Sequence, residues 1–404
     1  MDLAFVRAQF PAFSEPSLAD QAFFENAGGS YPCAQVTARL AEYYRRLKVQ
    51  PYYPSAASTE AGAWMDAAHA RLAEYLGVDA DEVLLGPSSS QNGYVLAQAV
   101  RPLLKPGDEI VVTQQDHEAN SGPWRRLAAD GIVVREWRVD RDTGALDPAQ
   151  LNALLTSRTK VVAFTHCSNV VAQVNPVADG CAQARSAGAI SIVDGVAWAP
   201  HGLPDVAALG ADAYLFSLYK TYGPHQGVMV IRRALQQRLA NQAHFFLDAY
   251  PRKRLVPAGP DHAQVAAARG VAEYFDALDA HHGGGDAAGR PARVRKRLRE
   301  AELALLPRLL DFLAARRDVR LLGPRDARIR AATVAFVPQR RAPLDVAKDL
   351  AARGVMAGAG HFYAVRLLEA MGVDPARGAL RLSFLHYNSP AELDRVLQAL
   401  DATL

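Results

Sequence analysis

The sequence predicts an α/β fold: a large domain on a mostly parallel seven-stranded sheet, followed by a smaller α+β domain. Three observations carry this expectation. Between residues 82 and 231, seven short runs rich in Val and Ile alternate with segments of helical spacing, the pattern of a parallel sheet covered on both faces. A glycine-rich stretch, "DAHHGGGDAAGRP" (279–291), breaks that alternation and reads as a boundary loop. With 404 residues, 50% of them hydrophobic, the chain is long and apolar enough to bury more than one core.

The elements follow in chain order. Residues 1–25 are expected to pack on the small domain, 26–284 to form the large domain and 285–404 the small one. The strand candidates of the large domain are "EVLLG" (82–86), "EIVVT" (109–113), "IVVREW" (132–137), "KVVAFT" (160–165), "AISIVD" (189–194), "AYLFS" (213–217) and "GVMVI" (227–231). "SGPWRRLAAD" (121–130) and "DGCAQARSAG" (179–188) lie between them with helical spacing. After the boundary loop come one long charged amphipathic helix (292–316), a strand "ATVAFV" (332–337), a further helix, a strand "LRLSF" (380–384) and a last helix "PAELDRVLQALDATL".

Composition narrows the function classes. A formal net charge of +3 gives no basic surface for nucleic acid and no polybasic membrane anchor. No apolar run reaches membrane-spanning length, and "MDLAFVRAQFPAF" lacks the cationic lead of a secretory signal. The three cysteines, Cys33, Cys167 and Cys181, form no CxxC pair and no metal-ligand spacing. They read as small buried hydrophobes in a reducing cytoplasm, and no metal is expected.

The chemistry-bearing residues stand just after the strands, where an open α/β sheet collects its ligands. "PSSSQN" (87–92) places Ser89 and Ser90 at a helix start, either as simple caps or as a phosphate cradle. His117 follows the second strand, Asn169 the fourth and Asp194 the fifth; Ser217 and Lys220 follow the sixth. Lys220, in "FSLYKTYGPHQG", stands between two apolar strands, where a lysine is either a snorkelling cation or an amine activated by burial. Together these residues offer phosphate donors, a flat ring, an amide, a carboxylate and an amine at one sheet edge. Pyridoxal 5'-phosphate needs that set.

The segments "FFENAGGS", "DHEANSGPW", "THCSNV", "VDGVAWAPHGLPDV", "ADAYLFSLYKTYGPHQG" and "LRLSFLHYNSPAELDRVLQAL" resemble the class V aminotransferase family of fold-type I pyridoxal-phosphate enzymes. The resemblance is to its cysteine desulfurase-like members and covers nearly the whole chain. It implies that Lys220 is the Schiff-base lysine, Asp194 the partner of the pyridine nitrogen and His117 the residue on the ring face. Asn169 would meet the phenolic oxygen, and Ser89, Ser90 and Ser217 the phosphate. Asn26, Ala27 and Gly28 would line the substrate side, with Arg381 clamping the substrate carboxylate through its planar fork. The segment "VPAGPDHAQ", with Gly259, would reach the phosphate of the partner subunit in a homodimer whose active sites lie at the interface.

The chain also departs from that pattern. Cysteine desulfurases carry a loop cysteine shortly before the arginine strand, yet "VMAGAGHFYAVRLL" (355–368) has none. His361 and Tyr363 of that segment become substrate-pocket candidates, alongside a packing role at the domain junction. The glutamine of the family's "DGAQ" is Ala197 here, the histidine before the lysine is Tyr219, and the partner-loop threonine is Gly259. The expectation is therefore a homodimeric cytoplasmic enzyme acting on an amino acid, first as a C–S lyase without a persulfide relay. Aminotransferase, amino-acid epimerase and a cofactor-binding protein without turnover are the alternatives.

Overall fold

The computed structural model describes residues 1–404. Its strands are β1 (Ala22–Phe23), β2 (Val83–Gly86), β3 (Glu109–Thr113), β4 (Val133–Trp137), β5 (Thr159–Thr165), β6 (Ile190–Asp194), β7 (Ala213–Ser217), β8 (Gly227–Ile231), β9 (Val319–Leu322), β10 (Thr333–Pro338), β11 (Val355–Met356), β12 (Gly358–Gly360) and β13 (Ala379–Ser383). The seven runs expected between 82 and 231 are β2 to β8, each within one residue at either end.

These seven strands form one sheet of order β2-β8-β7-β6-β5-β3-β4. β8 runs antiparallel to both its neighbours, and every other pair is parallel. β2 therefore points the same way as β7, and the carboxyl ends of β2, β3, β5, β6 and β7 share one edge. Alternate strand residues enter two separate cores. Val111, Val162, Val193 and Phe216 belong to one, and Ile110, Val161, Ile192 and Leu215 to the other. Burial on both faces explains why these strands read as unbroken apolar runs.

The second sheet, β12-β13-β10-β9, is antiparallel throughout. It is covered by Pro343–Ala351, Pro390–Thr403 and Leu306–Ala314, whose Val346, Val396 and Leu309 join Val334, Phe336 and Leu382 in a third core. β1 pairs in parallel with β11 in a separate two-stranded sheet, and the bridge from Glu25 to Ser383 ties the N-terminal segment to the second sheet. Val6 and Phe10, earlier in the same segment, enter the large core instead.

The long helix expected over 292–316 is two helices, Arg290–Leu303 and Leu306–Ala314. Pro307, in the first turn of the second, lacks an N–H and would clash with the turn before it. The break lets Val294 and Leu298 face the large core while Leu306, Leu309 and Leu310 face the small one.

Candidate active site

The site is built at the shared edge of the large sheet. Helix Ser89–Val100 begins three residues after β2, with the Ser88 side chain accepting from the Gln91 N–H as its cap. Ser89 is thereby left at the open helix end, and its Oγ lies 2.8 Å from the Ser217 Oγ at the end of β7. This approach requires a glycine between them. Gly227 pairs with both Gly86 and Ser217, and a Cβ there would stand 2.3 Å from the Ser88 carbonyl carbon and the Ser89 nitrogen. Two hydroxyls and the free N–H groups of a helix end form an anion cradle with no cationic side chain in it.

Ser89, His117, Asn169, Asp194, Tyr219 and Lys220 bound one cavity at this edge, with Ser90 at its rim. Asp194 ends β6 and is buried. Its carboxylate accepts one hydrogen bond, from the Val196 N–H at 2.8 Å. Burial raises its pKa to about 6 against the pull of that N–H and of Lys220. A desolvated carboxylate so sparsely bonded calls for a cation. Lys220 closes the short helix Leu218–Lys220 after β7. Burial and the nearby Arg381 lower its pKa to about 8, with Asp194 and Glu25 opposing. Near neutral pH a far larger share of its amine is therefore free base than in an ordinary exposed lysine.

His117 caps helix Glu118–Arg125, its Nδ1 accepting from the Ala119 N–H at 3.0 Å. Burial, Lys220 and Arg381 bring its pKa down to about 4, so the ring is neutral, with its proton on Nε2. Asn169 donates from Nδ2 to the Phe362 carbonyl at 2.8 Å, while its Oδ1 is buried without a partner. Cys167 also borders the cavity, but burial pushes its thiol up to about 12. His166 points away and bonds the Tyr214 hydroxyl at 2.8 Å.

On the substrate side, a smaller cavity shares Lys220 and is bounded by Asn26, Ala27, His201 and Ser383. Asn26 donates to the Ser383 carbonyl at 3.0 Å, and the Ala27 N–H to the Ser383 Oγ at 2.7 Å. Gly28 is packed against the Glu25 carboxylate. Tyr363 lies with its ring 5.3 Å from that of His117, and its carbonyl accepts from the Glu118 N–H at 2.8 Å. His361 turns back on this segment, its Nδ1 accepting from the Tyr363 N–H at 3.0 Å. Phe362 and Tyr363 both adopt left-handed backbone, with φ of 50° and 56°. Non-glycine residues hold such angles under strain. Gly259 is not brought to this cavity. It borders a separate, larger one with Tyr52, Tyr250 and Lys253.

The residues present fit pyridoxal phosphate. The cradle at Ser89 and Ser217 suits a phosphate, Asp194 lacks the cation that a protonated ring nitrogen supplies, and Asn169 has an unused amide oxygen. Two features of the site are absent from the expected set. Arg381 is held by Glu25, and its guanidinium lies under the Phe362 ring, 4.0 Å from the centroid.

Comparison with known proteins agrees with this geometry. The model of the family described as "Aminotransferase class-V" matches residues 22–245 and 294–396. The "Aminotransferase-like protein FGM3" of Gibberella zeae is 34% identical, covering 99% of this chain and 98% of its own length. A cysteine desulfurase of Pectobacterium atrosepticum is 30% identical, covering 98% and 96%. Among solved structures, the cysteine desulfurase CsdA of Escherichia coli superposes with a TM-score of 0.83 at 26% identity, covering all of this chain and 98% of that one.

Proposed function

Because the chain belongs to the class V aminotransferase family of pyridoxal-phosphate enzymes, we propose that it cleaves the carbon–sulfur bond of a cysteine derivative by β-elimination, without a persulfide relay. Bound at this site, the cofactor supplies an electron sink for the charge left when Cα loses its proton. Lys220 would hold the cofactor through its amine and afterwards carry the Cα proton, a role that its lowered pKa suits. Asp194 would keep the ring nitrogen protonated, the neutral His117 would face the ring, and Ser89, Ser90 and Ser217 would hold the phosphate. As the proton leaves Cα, the Cβ–S bond breaks with its electron pair on sulfur. The thiolate departs, and water converts the remaining enamine to ammonia and a 2-oxo product, pyruvate or its carboxyl-masked form.

One observation carries this reading against an ordinary desulfurase. All three cysteines are buried, and burial pushes their thiols up to about 12, 12 and 11. A persulfide relay needs an accessible thiolate, and the segment 355–368 has no cysteine. The test is product analysis by mass spectrometry on a panel of S-substituted cysteines and their carboxamides. Pyruvate or pyruvamide and a thiol in equal amounts support elimination.

A second reading is favoured by the 34% identical aminotransferase-like relative. Amino transfer and epimerisation start from the same loss of the Cα proton. A keto acid that retains the side chain, or a D-isomer, in the same assay selects that reading. We also place the active form as a homodimer, with the exposed Gly259 loop contributing to the partner's phosphate site; its solution mass by light scattering tests this.

A further inference from the structure

Arg381 stands in β13 with its side chain 5% exposed. Its Nη2 pairs with Glu25 Oε1 at 2.8 Å, its Nη1 donates to the Asn169 carbonyl at 3.1 Å, and the Phe362 ring covers one face. Neither cavity that meets at Lys220 is bounded by this guanidinium. An arginine meant to receive a substrate carboxylate thus already holds one, supplied by the chain itself.

The Glu25 carboxylate is fixed by construction. Its backbone bridges Ser383, two residues beyond Arg381, and the flanking Asn26 and Ala27 bond the same residue. The carboxylate fills space left by two glycines: a Cβ on Gly28 would come within 1.9 Å of its Oε2, and one on Gly358 within 2.8 Å of its Oε1. A buried guanidinium requires a counter-ion, and here Glu25 is that ion.

Charge then limits what can bind. A free amino acid would bring a second carboxylate to a guanidinium that is already neutralised, in a site that also holds Asp194 and the cofactor phosphate. A carbonyl group without charge leaves the Glu25–Arg381 pair intact. Resting on the functional reading above, we infer that Glu25 is a specificity-determining residue. By neutralising Arg381, it makes the site prefer an amine whose carboxyl group is masked as an amide, ester or thioester over the free amino acid.

The test uses the holoenzyme with 2-methylalanine and its carboxamide, which have no Cα proton to lose, so that binding is read without turnover. Dissociation constants come from the change in cofactor absorbance, each expressed per concentration of unprotonated amine. The wild type should bind the amide more tightly, by about tenfold, as expected for one competing charged contact. Glu25→Gln, which removes the charge, should shift the preference toward the free acid by about tenfold or more. Glu25→Asp, one methylene shorter, should shift it the same way if the Gln variant does not fold. Equal or tighter binding of the free acid by the wild type, or one ratio shared by wild type and variants, overturns the inference. If neither amine perturbs the absorbance of cofactor-loaded protein, the functional reading itself is overturned.

Discussion

Ser89 and Ser217 are 128 residues apart in the chain, yet their Oγ atoms stand 2.8 Å from each other. The contact joins the helix after β2 to the end of β7, and it exists because β2 and β7 point the same way on either side of β8. With no cation in this cradle, a phosphate bound there would be held by hydroxyls and backbone N–H groups. Each hydrogen bond to a charged phosphate is worth about 1.5–3 kcal/mol. Ser89→Ala and Ser217→Ala should each weaken cofactor binding by about tenfold or more on that scale. Because the two hydroxyls share one cradle, the double variant should fall short of the summed effect. Titration of apoprotein with pyridoxal phosphate measures all three.

Gly227 lets that contact form. Gly227→Ala places a methyl 2.3 Å from the Ser88 and Ser89 backbone, a clash that must push the helix start away from β7. We expect a stability loss of about 1–3 kcal/mol from overpacking, together with weaker cofactor binding. Denaturant unfolding and the same titration report the two effects; unchanged affinity would mean that the helix start does not set the phosphate position.

Asp194 is expected to shape the pH dependence of cofactor binding. Burial raises its pKa to about 6, so the carboxylate is charged above that pH and takes up a proton below it. The partner of the ring nitrogen is therefore lost as pH falls from 7 to 5. Cofactor affinity should drop more steeply across that window in the wild type than in Asp194→Asn, where only the Lys220 amine and the phosphate still titrate. Turnover in Asp194→Ala should fall by roughly 10²-fold or more, the scale of a lost charge-stabilising group.

The cysteines should be dispensable. Cys33→Ala, Cys167→Ser and Cys181→Ala together should keep turnover within a few-fold of the wild type, after mild repacking. Cys167 is the critical member, since it alone of the three borders the cofactor cavity. Loss of sulfide release in Cys167→Ser, with cofactor still bound, would restore a thiol-dependent mechanism.

Much of this was legible in the sequence, for physical reasons that differ by element. β3, β7 and β8 are buried throughout, so their apolar runs marked their ends to the residue. The cofactor set was legible because a parallel sheet fixes where strand ends go: Asp194 and Lys220 follow adjacent strands, and topology alone brings them together. The break near Leu305 was signalled by Pro307, but the charged pattern on either side read as one helix. The Glu25–Arg381 pair could not be read. Its members are 356 residues apart, and their meeting depends on the N-terminal segment bridging the last strand of the second sheet. The motif "FFENAGGS" pointed to this loop through Asn26, Ala27 and Gly28, and only the fold shows that Glu25, just before them, reaches the arginine.

The most direct measurement is borohydride reduction of the cofactor-loaded protein followed by peptide mapping. Reduction makes the link between lysine and cofactor permanent, so the label identifies the amine that carries the cofactor. The account predicts a single labelled residue, Lys220, and when apoprotein is mixed with cofactor the link should form faster as pH rises through about 8, where the Lys220 amine loses its proton. Lys220→Ala should leave the protein unlabelled. A label on Lys105 or Lys160, or a labelled Lys220→Ala protein, would contradict the assignment of the site.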